Sequence, residues 1–150
     1  MIHVAVLWLI NEHHELLLAR RALDKPQDPG VWGPSVTGKL EGNESYRRAL
    51  LREVEEEFSL KPSDYDPSFL AYKTFAHPDG EPRRFGIYYA PFLRSKTGHI
   101  HIDPKEVDTF AWFSVEEITA KLLSSPQELV PSAGDVWTQT FQTLKQRGVL

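Results

Sequence analysis

Apolar positions along this chain follow two different periods. Ile2–Ile10, IHVAVLWLI, is a nearly unbroken apolar run rich in strand formers, which predicts a buried strand. Asn11–His14 is a polar turn and Glu15–Arg21, ELLLARR, a second strand, so the pair predicts a hairpin. Ala22–Pro34 is a loop punctuated by Pro26, Pro29, Gly30 and Pro34, with Trp32 expected in the core rather than at a pocket mouth. Ser35–Thr37 predicts a short strand. The period then changes. Tyr46, Ala49, Leu50, Val54 and Phe58 recur at steps of three and four, the apolar stripe of a helix lying on a sheet. Asn43 or Ser45 can cap its start, and Glu44 suits the positive end of its dipole.

After a proline-bounded connector, Lys61–Pro67, the period returns to two. Ser68–His77 and Arg83–Arg94 predict strands joined by a turn at Pro78-Asp79-Gly80, and Pro91 puts the second at an edge or a bulge. Tyr72, Phe75, Phe85, Tyr88 and Tyr89 alternate there, mostly as core, with one free to stack on a planar group. His99-Ile100-His101-Ile102 also alternates. With no third ligand near, an exposed strand face is favoured over a metal pair. Asp103–Asp108 is an acidic loop and Thr109–Phe113 a strand. Ser114-Val115-Glu116-Glu117 is a capping box opening a helix to about Leu123. A last helix runs from about Gly134 to Gln146, carrying Trp137, Phe141 and Leu144, with Gly148 as its stop. Strands and helices interleave, which predicts an α/β fold with a mixed sheet and helices on its faces.

Composition narrows the function classes. The length of 150 residues suits a single domain, and a hydrophobic share of 41% argues against disorder. A net charge of −4 offers no general attraction to polyanions, so stable nucleic-acid binding is not expected. There is no cysteine, hence no disulfide and no thiolate nucleophile or ligand, which fits a cytoplasmic setting. The N-terminal apolar run is too short to span a bilayer and lacks a basic leader and cleavage site, so no membrane partner is expected.

The chemistry concentrates on the first helix. Glu53, Glu56 and Glu57 stand at i, i+3 and i+4, which puts three negative charges on one face. Such crowding destabilises a helix unless a hard, oxygen-seeking cation such as Mg²⁺ or Mn²⁺ sits among them. Gly38 and Gly42, just upstream, allow a tight loop whose backbone can approach a ligand. Arg20 and Arg21, at the end of the second strand, are either solvated or bind a substrate phosphate, for which a guanidinium fork is well shaped. His13 and His14 belong to a surface turn.

Gly38–Leu60, GKLEGNESYRRALLREVEEEFSL, resembles the Nudix box, G-x5-E-x7-R-E-U-x-E-E-x-G-U, where U is aliphatic. Gly38, Glu44, Arg52, Glu53, Val54, Glu56, Glu57 and Leu60 fall in register. Ser59 replaces the second glycine, the residue that would close the helix in a left-handed conformation. The resemblance implies the Nudix α/β/α sandwich over essentially the whole chain, and hydrolysis of a small-molecule diphosphate. It implies Glu56 and Glu57 as principal metal ligands, Glu53 as ligand or general base, and the Gly38 carbonyl as a neutral ligand. Arg52 would orient neighbouring carboxylates and Glu44 would support it. EVDTFAWFSVEEI looks like the region following the last core strand in many members. There an acidic residue often assists metal or water, which nominates Glu106 ahead of Asp103 and Asp108, against an exposed loop carboxylate. Dimers are common among such proteins, so a homodimer belongs among the expectations.

Two other readings stand beside hydrolysis. IHVAVLWLINEHHELLLARRA and PGVWGPSVTG resemble parts of isopentenyl-diphosphate isomerases. His3 matches a metal-binding histidine there, but Lys39 stands where a second is expected and the catalytic cysteine is missing. Lys39 would repel a metal and suit a phosphate. The other reading is a non-catalytic nucleotide-binding module on the same fold, against which the full set of carboxylates weighs.

Overall fold

The first apolar run forms β1 (Ile2–Ile10) at the middle of the sheet in a computed structural model describing residues 1–150. Ala5, Leu7 and Leu9 are buried on one face, and Val4, Val6, Trp8 and Ile10 on the other. Burial on both faces explains why the run is continuous rather than alternating. β1 pairs in parallel with β6 (Arg83–Pro91) from Ile2↔Arg83 to Ile10↔Pro91. Its other side pairs antiparallel with β4 (Val36–Lys39), and β5 (Ser68–Phe75) lies antiparallel on β6. β2 (Leu16–Arg21) carries β3 (Trp32–Gly33) and β7 (Val107–Phe113), completing seven strands.

The expected hairpin of β1 and β2 opens almost at once: Ile10↔Leu16 is the pairing between them. Ser35 is the wedge. Its buried hydroxyl accepts from the Leu9 N–H at 2.9 Å and donates to the Leu17 carbonyl at 2.6 Å. One side chain thus satisfies two backbone groups that a continued ladder would have paired. Beyond it β4 takes the edge of β1, β3 takes the facing edge of β2, and a crevice opens between β2 and β4.

Helix α1 (Tyr46–Phe58) is capped by Ser45, whose hydroxyl accepts from the Arg48 N–H at 3.1 Å. Ala49, Leu50, Val54 and Phe58 are buried on the face of Ala5, Leu7 and Leu9. Each large apolar side chain fully buried contributes ~1.5–3 kcal/mol, which holds the helix down against repulsion along its acidic face. On the opposite face pack Ile118 of α2 (Val115–Ser124), Trp137 of a π-helical turn (Ala133–Trp137), and Phe141 and Leu144 of α3 (Thr138–Gln146). The layers run helix, sheet, helix, as expected.

Three local expectations are corrected. β6 is an inner strand, and Pro91 is tolerated because β5 pairs only as far as Tyr89, leaving no N–H required of residue 91 on that side. The last helix begins as a π-turn and becomes α-helical only at Thr138. His99–Ile102 is not a strand, so its imidazoles share no strand face. A 3₁₀ turn spans Arg94–His99, after which the chain docks on the C-terminal end of α1. The N–H groups of His101 and Asp103 donate to the Phe58 and Glu57 carbonyls, both at 3.0 Å. Helix ends leave such carbonyls without partners, and this segment supplies them.

Candidate active site

Gly38 lies on β4 opposite Ala5, facing α1, and a Cβ there would collide with the Glu53 side chain. Glycine at this position is therefore a matter of space: it lets the strand backbone rest against the acidic face of α1. Thr37 and Lys39 pair with Val6 and Val4 and turn to the other face of the sheet. β4 is thus a thin partition.

Arg52 organises the carboxylates. It grips Glu44 with two bonds, Nε to Oε2 at 2.8 Å and Nη2 to Oε1 at 2.9 Å. Nη1 donates to Glu53 at 2.8 Å and to Glu56 at 3.4 Å, and Nη2 also reaches the Lys39 carbonyl at 3.2 Å. The Arg52 hydrogen bonds, helped by the Glu41 N–H, hold the Glu44 carboxyl down to about 2. Two partners raise Arg52 itself, Glu44 first and then Glu53.

Glu57 is in the opposite condition. Burial pushes its carboxyl well above the usual carboxylate range, and the neighbouring carboxyls of Glu53 and Glu106 push it further. Glu56 is exposed, with Arg52 as its one partner. No three acidic or histidine side chains converge on one point at ion-holding distance. The donor set nevertheless fits a hard divalent cation. It is all oxygen, it includes a half-buried like-charge pair that a cation would relieve, and its most exposed member is at the rim.

One cavity of about 710 Å³ gathers Gly38, Lys39, Glu53, Glu56, Glu57, Glu106, Arg20 and Arg21. Arg52 and Glu44 stand behind it. Arg20 is paired with Asp108 through Nε at 2.9 Å and lies over the Trp32 ring at 5.8 Å. Trp32 is half-buried on β3. Arg21 donates from Nε and Nη2 to the Gln27 and Asp28 carbonyls at 2.9–3.1 Å, which pins the loop over the crevice. Asp108 therefore serves as the counter-ion of Arg20, on β7 rather than in a loop. Lys25, which no spacing in the sequence singles out, also lines the cavity and meets Glu106 at 2.6 Å.

His3 is elsewhere. Its Nδ1 lies 2.6 Å from the Tyr46 hydroxyl, in a separate cleft with Tyr72 and Arg84. Val4, not His3, pairs with Lys39, although His3 and Lys39 both line that second cleft.

The family model for the NUDIX domain matches residues 1–133. The isopentenyl-diphosphate Delta-isomerase of Salmonella paratyphi B is 30% identical over 128 residues, 83% of this chain and 68% of that protein. The MutT protein from Methanosarcina mazei Go1 shares the fold with a TM-score of 0.77 at 20% identity, over 96% of this chain and 95% of that one. The Ap4A hydrolase of C. elegans, in a binary complex, gives 0.68 at 16% identity over 98% and 99%. With the family model spanning the sheet, α1 and its acidic face, this chain belongs to the NUDIX domain family.

Proposed function

We propose that this protein hydrolyses a diphosphate linkage in a small molecule of the nucleoside diphosphate-X type, with Mg²⁺ or Mn²⁺ held by Glu53, Glu56, Glu57 and the Gly38 carbonyl. The observation that carries this reading is the half-buried Glu57, its carboxyl pushed up by desolvation and by Glu53 and Glu106, in one cavity with Arg20, Arg21, Lys25 and Lys39. The carboxylates suit a cation and the basic groups suit phosphate oxygens. When bound, the ion would supply positive charge against the diphosphate's own and ease deprotonation of a water. Arg52 fixes the rotamer of Glu53, which is then set to accept a proton from that water or to ligate. Glu44 positions Arg52. Glu106, tethered by Lys25, orients the water or completes the ligand set. The setting proposed is cytoplasmic, without membrane or nucleic-acid partners; no helix is long and apolar enough to cross a membrane.

An assay of purified protein against nucleoside triphosphates, nucleotide sugars and dinucleoside polyphosphates, with and without Mg²⁺ or Mn²⁺, tests the reading. Metal-dependent release of two phosphorylated products from at least one class is expected, and no cleavage in any class would refute it. The Salmonella relative, an isopentenyl-diphosphate Delta-isomerase, suggests isomerisation as the second reading. That reaction moves a proton across a hydrocarbon and needs an acid and a base on either side. A cysteine is one of the pair in such enzymes, and this chain has none. Isopentenyl diphosphate with Mg²⁺ should therefore give no dimethylallyl diphosphate.

A further inference from the structure

The second cleft, on the α1 face of the sheet, has its own chemistry. His3 pairs with Arg84 across β1 and β6, and one step along, Gly86 lies opposite Ala5 and Tyr72. A Cβ on Gly86 would collide with the Tyr46 ring, so the sheet is bare where that ring, from the first turn of α1, is seated. The Tyr46 and Tyr72 rings stand 5.3 Å apart. The Arg84 guanidinium lies over both, 4.0 Å from the Tyr72 centroid and 5.9 Å from that of Tyr46. Arg47 joins it from α1, and the space they line measures about 740 Å³. Lys39 is the one residue it shares with the cavity of the metal carboxylates.

The groups around this space are donors in want of acceptors. Neither Arg84 nor Arg47 has a carboxylate partner, and Arg47 donates only to the Pro67 carbonyl, at 3.3 Å. Glu44, the one acid in the wall, gives both its oxygens to Arg52. Tyr88 is the telling residue. It is only 8% exposed and its hydroxyl has no hydrogen-bond partner, yet that oxygen is not sealed, as the Tyr65 hydroxyl is, and the cleft is a space Tyr88 lines. A deep phenol without an acceptor is uncommon unless something else accepts from it. Tyrosine rings cover the face of the Arg84 guanidinium and leave its edge N–H groups for an anion. Two uncompensated guanidinium groups repel a metal ion from His3. The donors come from β5, β6 and α1, directions that a tetrahedral oxyanion meets and the two coplanar oxygens of a carboxylate do not. We propose that this cleft is a second ligand site, binding a phosphate-class oxyanion through Arg84, Arg47 and the Tyr88 hydroxyl. It stands whether or not the hydrolase reading does.

The test labels the six histidines with ¹³C and ¹⁵N and follows their ring signals without divalent ions. His3 reports this cleft, and His77, which lines the other cavity, reports that one. The titrants are inorganic phosphate, glycerol phosphate, acetate and chloride at constant pH and ionic strength. The His3 signal should move saturably with phosphate or its ester, with affinity at least about tenfold above that for acetate, and stay in place with chloride. Whichever phosphate binds tighter tells whether the free ion or a monoester is the ligand. Arg84→Leu should weaken the His3 response about tenfold, and Tyr88→Phe, which keeps the ring, about threefold. An unchanged His77 titration in each variant reports an intact fold, and Arg47→Gln replaces Arg84→Leu if the latter does not fold. A His3 signal that never saturates, an equal response to acetate or chloride, or undiminished affinity in the variants would overturn the proposal.

Discussion

At the N-terminal end of α1, Glu44 meets a guanidinium, a backbone N–H and the positive end of the helix dipole. At the C-terminal end, Glu53, Glu56 and Glu57 crowd toward the negative end, and the last turn holds no basic residue. The same side chain is therefore satisfied at one end and frustrated at the other. Satisfied carboxylates build a scaffold, whereas frustrated ones are poised for a cation. Arg52 is the divider: it completes Glu44 with two bonds and gives Glu53 and Glu56 only one nitrogen between them.

The sharpest way to break this contrast is Glu57→Gln. Removing a proposed ligand should lower kcat/KM by about a hundredfold or more on the best substrate, equivalent to several kcal/mol of lost charge stabilisation. Near-wild-type turnover would end the assignment. Glu44→Gln should do less, about tenfold and chiefly in metal affinity, because it loosens Arg52 and touches no ligand directly. A metal titration of activity would separate the two; a loss in Glu44→Gln that excess metal cannot restore would contradict its supporting role.

Stability against pH should split the two ends in opposite directions. Glu44 has a depressed pKa, so its contribution is present above the unfolded value of about 4.5 and lost as pH falls toward about 2. Glu57 has a raised pKa, so the folded chain binds that proton more tightly than the unfolded chain. Its contribution is complete below about 4.5 and lost as pH rises through the folded value. Without divalent ions, urea midpoints should therefore fall on the alkaline side, and Glu57→Gln should flatten that limb. A flat wild-type limb would show that Glu57 is not frustrated.

The smallest effect concerns the helix stop. Ser59 is left-handed, at φ 60° and ψ 30°, as the missing glycine requires. Its hydroxyl, however, donates to the His101 carbonyl at 3.0 Å. Ser59→Gly relieves strain of ~0.5–1 kcal/mol but loses that exposed bond, so the net gain should stay under about 1 kcal/mol. Ser59→Ala keeps the strain, loses the bond and should cost about 1 kcal/mol. Chemical denaturation of both resolves the two contributions, and a stabilised alanine variant would show that the hydroxyl does nothing.

Much of this contrast was legible in the sequence because α1 is long and its spacing is strict. Eight positions in fixed register announce a helix, its acidic face and its glycine approach. Short patterns served less well. Four alternating residues at His99–Ile102 mimic a strand, yet open helix carbonyls captured them instead. The hairpin was visible but its opening was not, since a buried serine at position 35 carries no local sign of bridging two strands. Arg20 and Asp108, and Lys25 and Glu106, meet only through the pairing of β2 with β7 and the loop before it. In the sequence Trp8 and Trp137 read only as apolar. Only the folded sheet reveals that their N–H groups have no protein partner.

The parallel register of β1 against β6 has a consequence for synthesis. Ile2 must wait for Arg83, 81 positions later, before that edge of β1 is covered. At ~5–20 residues per second, the ribosome needs about 4 to 16 seconds to supply the partner. β4 arrives sooner and shields the other edge, and α1 can form in the interval. For those seconds IHVAVLWLI, long, uncharged and strand-prone, is a half-covered template for any similar chain nearby. The central strand β1 is thus an aggregation hazard of the nascent chain. Slower or cooler expression should favour soluble product over inclusion bodies by keeping neighbouring nascent chains dilute while β6 is made.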